Sequence, residues 1–164
     1  MEKFSEYLIV KPERSKLINI EYSAVENKDI LRQVFENSSG RVNITNAYNI
    51  NSRLGITKEI EDEDAIVHSA VITFSENIKY LDTEVEVSKL KFIYNFIVEI
   101  TDAEKCKQIK EFAKVDYSKL SIEDKKFVEE MTDYINKKMY PGFKHFIELI
   151  YAQSGNIKKL PAEI

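Results

Sequence analysis

Val85-Glu86-Val87-Ser88-Lys89-Leu90-Lys91-Phe92-Ile93-Tyr94-Asn95-Phe96-Ile97-Val98-Glu99-Ile100 decides the fold of this chain. Leu90, Phe92, Tyr94, Phe96, Val98 and Ile100 fall on alternate positions. Successive residues of a strand point to opposite faces, so the run reads as one long strand with a heavy apolar face. Val85 and Val87 hold the opposite phase, which predicts a slip near Ser88-Lys89. A slip of one residue exchanges the two faces, and a β-bulge absorbs it, so the strand is expected to bend there. So many large side chains on one face need a cover, and the helices that follow must supply it.

Toward the N-terminus three more stretches alternate. Lys16 to Val25 puts Ile18, Ile20, Tyr22 and Ala24 on one face, and Val42 to Ile50 does so through Val42, Ile44, Tyr48 and Ile50. Ala65 to Phe74 carries Ile66, Ile72 and Phe74 on one face and Val67 and Val71 on the other, so this strand is expected to be central, or covered on both sides. Asp29 to Asn37 has helical spacing and ends at Ser38-Ser39-Gly40, which reads as a short helix inside the connection between the first two strands. Glu59-Ile60-Glu61-Asp62-Glu63-Asp64 lacks the spaced oxygens around a glycine that a calcium loop needs, and reads as a solvated turn.

Toward the C-terminus the period changes to that of helices. Ala103 to Val115 carries Cys106, Ile109 and Phe112 at helical spacing. Ser121-Ile122-Glu123-Asp124 resembles a capping box with Asp in place of Glu, opening a helix with Phe127, Val128, Met131, Ile135 and Met139 inward. Pro141 suits the first turn of a further helix, where a missing N–H costs nothing. Phe143, Phe146, Ile147, Ile150 and Tyr151 would form its stripe, and Gly155 its left-handed cap. The fold class is α+β: a four-stranded antiparallel sheet with C-terminal helices packed on one face, in a single domain over residues 1–164.

Composition narrows the function. A net charge of −4 argues against a nucleic-acid partner, which selects a basic face. No apolar run approaches the roughly 20 residues that span a bilayer, so no membrane insertion is expected. Met1 to Val10 has no uninterrupted apolar core and does not read as a signal peptide. Cys106 is the single cysteine, which excludes an internal disulfide and fits a cytoplasmic location.

Catalytic patterns are scarce. Gly40, Gly55, Gly142 and Gly155 are isolated, so no glycine-rich phosphate cradle forms. His145 and Glu148 share a helical face, but a catalytic metal needs about three protein ligands, and His68 lies far off with no ligand spacing. No catalytic residue, metal ligand or cofactor is assigned, and a non-enzymatic role is expected. Nine Phe and nine Tyr could stack nucleobases, yet Phe92, Tyr94 and Phe96 are flanked by Lys91, Asn95 and Glu99 rather than by a basic set. Packing, or apolar contact with a polypeptide, fits them better.

The order of elements, with Tyr140-Pro141-Gly142-Phe143-Lys144-His145-Phe146-Ile147 opening the last helix, resembles the SecB-type export chaperones. Ser154-Gly155-Asn156-Ile157 and Leu160-Pro161-Ala162-Glu163-Ile164 are similar to the tail that follows that helix in the family. Against the family pattern, residues 29–40 look like an insertion between the first two strands, and the zinc-binding tail that some of those chaperones use to reach the translocation motor is not read in this sequence, so protein transport is the less expected of the roles the resemblance implies. The resemblance implies homo-oligomers, dimers or tetramers, whose long apolar grooves hold unfolded polypeptide without ATP. On that reading the groove candidates are Tyr94, Phe96 and Val98 of the long strand and Phe143, Phe146, Ile147 and Ile150 of the last helix. A second reading is a phage or host interaction protein that uses the same fold to bind one specific protein partner. A metal-assisted enzyme built on His145 and Glu148 is the third.

Overall fold

A computed structural model describes residues 3–24, 32, 36, 43–80 and 83–153. Four strands, β1 (Leu8–Ala24), β2 (Asn43–Gly55), β3 (Ala65–Tyr80) and β4 (Thr83–Ile100), form one antiparallel sheet in the order β1-β4-β3-β2. Two helices follow, α1 (Ala103–Lys114) and α2 (Ile122–Gln153). The α+β class expected from the sequence is the observed one. β2, β3 and β4 are sequential neighbours, whereas β1 joins the far side of β4, a Greek-key arrangement that leaves β1 and β2 as the two edges. The helix expected within 29–40, the Gly155 cap and the tail after Gln153 fall outside the described residues.

Contacts divide the chain into two compact units. One comprises Met1–Ser15, Arg53–Ser69 and Phe96–Ile164, and the other Lys16–Ser52 and Ala70–Asn95. The first contains both helices. Its core closes on residues the sequence reading left out: Phe4, in a short 3-10 turn, packs edge-on against Phe127 with ring centroids 5.6 Å apart and lies 5.8 Å from Tyr134. β1 therefore begins at Leu8, eight residues before the alternation becomes legible at Lys16. In β3, Ala65, Ile66, Val67 and His68 are all buried. Val67 joins Ile60 and Ala65 in a cluster against which Ile97 packs, so the double-sided cover expected for this strand is present here.

Local chemistry fixes the helix starts. The Asp102 carboxylate accepts from the Lys105 N–H at 2.9 Å and caps α1. Ser121 Oγ accepts from the Asp124 N–H at 3.1 Å and donates to the Asp124 carboxylate at 2.6 Å. The capping box is thus a variant. The shorter Asp side chain meets the cap hydroxyl, where a Glu would reach back to the cap N–H.

One expectation is corrected. Pro141 does not open a new helix; it lies inside α2, which runs on through it. Val128, Met131, Ile135, Met139, Tyr140, Phe143 and Ile147 keep one buried stripe across that position, while Pro141 and Gly142 are exposed. Packing on both sides of the proline outweighs its missing N–H. In β4 the buried positions keep one phase from Ser88 through Leu90, Phe92, Phe96, Val98 and Ile100, whereas before Ser88 the half-buried positions are Val85 and Val87, with Glu86 between them exposed. Ser88 is buried and donates to the Glu76 carboxylate at 3.2 Å.

Candidate functional site

In the unit of Lys16–Ser52 and Ala70–Asn95, aromatic rings run across the strands. Tyr48 on β2 stacks on Phe74 on β3 at 5.9 Å and 22°, and Phe74 stacks on Phe92 on β4 at 6.3 Å and 10°. Facing rings on neighbouring strands are the sheet's natural unit of side-chain attraction, worth about 0.2–1 kcal/mol per pair beyond area. Phe74 and Phe92 are buried, but Tyr48 on the edge is 40% exposed.

The opposite edge continues the band. Lys91 on β4 pairs with Glu21 on β1 at 3.6 Å, which places the odd-numbered residues of this part of both strands on one side. Ile18, Ile20 and Tyr22 therefore stand on the side of Leu90 and Phe92, and they are 55%, 42% and 45% exposed. Leu17, on the other face, is exposed as well, and every residue from Lys16 to Ser23 is open to solvent. The result is a band across four strands, buried in the middle and greasy at both margins. Apolar side chains left open together at a sheet margin are the kind of surface on which another chain can dock. They give broad, non-directional contact with few fixed hydrogen bonds, which suits variable sequences.

The seven residues singled out from the sequence lie as follows. Phe96, Val98, Phe143 and Ile147 are packed inside, and Tyr94, Phe146 and Ile150 are half-buried. Phe143 meets Phe96 edge-on at 5.0 Å, which joins α2 to β4. The exposed margins, Ile18, Ile20, Tyr22 and Tyr48, were legible as alternating positions. Their exposure was not, because it depends on which strands become edges.

His68 and Cys106 are buried. His68 is fully buried, with Nε2 2.9 Å from the Asn136 amide oxygen and its ring 6.2 Å from that of Phe96. The amide oxygen can only accept, so Nε2 carries the proton and Nδ1 is left without a partner. Burial pushes this imidazole down to about 4, against a smaller upward pull from Asn136, and keeps it neutral. His145, by contrast, is exposed. Burial raises the Cys106 thiol, which keeps it protonated and unreactive. A cavity of about 500 Å³ is lined by Glu63, Asp64, Ala65, Glu99, Ile100 and Thr101. Cations close over its carboxylates: Arg14 forks onto Glu63 at 2.7 and 3.1 Å, and Lys11 reaches Glu99 at 3.0 Å. Among the described residues no group of three His, Cys, Asp or Glu side chains is arranged to hold a metal ion.

No family model and no curated protein matches this chain. Among solved structures it is similar to the Mycobacterium tuberculosis Rv1957 SecB-like chaperone, solved in complex with a ChAD peptide from the Rv1956 HigA1 antitoxin. The match has a TM-score of 0.54 at 7% identity and covers 96% of this chain and 92% of that one. The fold is SecB-like. With so few identical residues the likeness concerns architecture, and it leaves the choice of binding residues to this chain's own surface.

Proposed function

We propose that this protein is an ATP-independent, chaperone-like binder of unfolded or extended polypeptide, working in the cytoplasm by contact rather than by catalysis. One observation carries the reading: Ile18, Ile20, Tyr22 and Tyr48 stand open at the two margins of the Tyr48–Phe74–Phe92 band. Burying such side chains is worth about 1.5–3 kcal/mol each, enough for several weak contacts to sum to a useful affinity. The exposed edge of β1, apolar on both faces, also supports self-association, because pairing with a second copy would cover it most directly. A homo-oligomer is part of the proposal.

The similar structure was solved with a peptide of an antitoxin, which favours a second reading in which the same surface serves one dedicated protein partner. Suppression of aggregation separates the two. A chaperone should keep several unrelated unfolded proteins in solution, whereas a dedicated binder should spare none of them. Ile18→Asp with Tyr48→Ala should weaken the suppression at least several-fold while the urea midpoint stays close to that of the parent. Full activity in that variant would sink this assignment of the surface. Light scattering on a sizing column gives the mass, and a strict monomer of 19.1 kDa would remove the oligomer.

A further inference from the structure

We propose that Pro141-Gly142 is a hinge within α2, about which residues 143–153 lift from the sheet as a unit and uncover Phe96, Phe143 and Ile147. The helix carries its anchors in two groups. Before the hinge, Val128, Met131, Ile135 and Met139 are buried, and Asn136 holds the His68 ring. After it, Phe143 meets Phe96 edge-on and Ile147 is fully buried. Between the two groups lie the two residues least suited to a helix interior, side by side.

Neither residue is required by packing. Pro141 and Gly142 are exposed, and a Cβ added at Gly142 would meet nothing within 4 Å beyond its own turns of helix and its chain neighbours. Alanine would fit there, so glycine is not held by a close approach. Pro141 has no N–H to donate to the Lys137 carbonyl four residues before it, and its ring crowds that carbonyl. The backbone ladder is therefore weakest where the buried stripe changes from one group of anchors to the other. The segment 143–153 is eleven residues long, below the roughly 12–15 that an isolated helix needs to be even marginally stable in water. Once undocked it frays, and its amides exchange with solvent.

The use assigned to this motion rests on the polypeptide-binding reading, because the uncovered rings would widen the apolar surface offered to a client. The motion is tested without any client, so failure of either idea is recognised separately. Amide hydrogen exchange is followed residue by residue in the full-length protein. Amides of 143–150 should exchange at least about tenfold faster than those of 128–139, as a separately opening unit does. Gly142→Ala should slow exchange in 143–150 about fivefold, and the double variant Pro141→Ala/Gly142→Ala by more, with 128–139 unchanged. Both substitutions favour helix at exposed positions, so the variants fold. Equal protection on the two sides of Pro141, or exchange in 143–150 indifferent to both substitutions, would overturn the hinge. Slower exchange with unaltered suppression of aggregation would overturn its role in uncovering the binding surface.

Discussion

Acid should loosen this protein through His68 before most carboxylates are titrated. The imidazole is fully buried, its Nδ1 has no partner, and burial takes it from an ordinary 6.5 down to about 4. The folded state thus binds this proton more weakly than the unfolded chain. Between pH 6.5 and 4 the unfolded chain takes up the proton and the folded one does not, so stability falls as pH falls. The difference of about 2.5 units corresponds to about 3 kcal/mol in total, of which about 2 kcal/mol is lost by pH 5. Urea unfolding followed by ellipticity at pH 7.5, 6 and 5 measures the loss. Glu63, Glu111 and Asp116 also sit below their ordinary range and contribute at the acidic end, so the decisive quantity is a difference. His68→Phe should be less dependent on pH than the parent by about 2 kcal/mol over this window. Identical slopes for the two proteins, or an imidazole titrating near 6.5 by NMR, would refute the reasoning.

Other outcomes follow from the same packing. Asn136→Leu strands the buried imidazole N–H and should cost about 1–3 kcal/mol, while His68→Phe with Asn136→Leu should cost less than the sum of the two single changes, as a urea double-mutant cycle would show. Phe143→Ala removes the ring that meets Phe96 and should cost about 3–5 kcal/mol in urea unfolding. Asp102→Ala deletes the cap of α1 and should lower stability by about 1 kcal/mol, with Asp102→Asn close to the parent.

Residue pattern alone determined much of this protein. Alternation through Leu90 to Ile100 required a long strand with one heavy face, and the change of period after Ala103 required helices to cover it. Ser121 marked the start of α2 through chemistry that acts within four residues, as Asp102 does for α1 in the structure. Such features depend on neighbours along the chain, which is why they are legible. Tertiary structure decided the rest. Continuity of α2 through Pro141 follows from packing on both sides, which no local propensity records. Ser88 is buried where the Glu76 carboxylate, on the neighbouring strand, accepts its hydrogen bond. The site itself lies on strands that the order β1-β4-β3-β2 puts at the margins: Ile18, Ile20 and Tyr22 alternate like any covered face, yet they stand exposed on the edge strand β1. Alternation in a sequence says that side chains share a face. Only the pairing of distant strands says whether that face is closed by the chain itself or left for another.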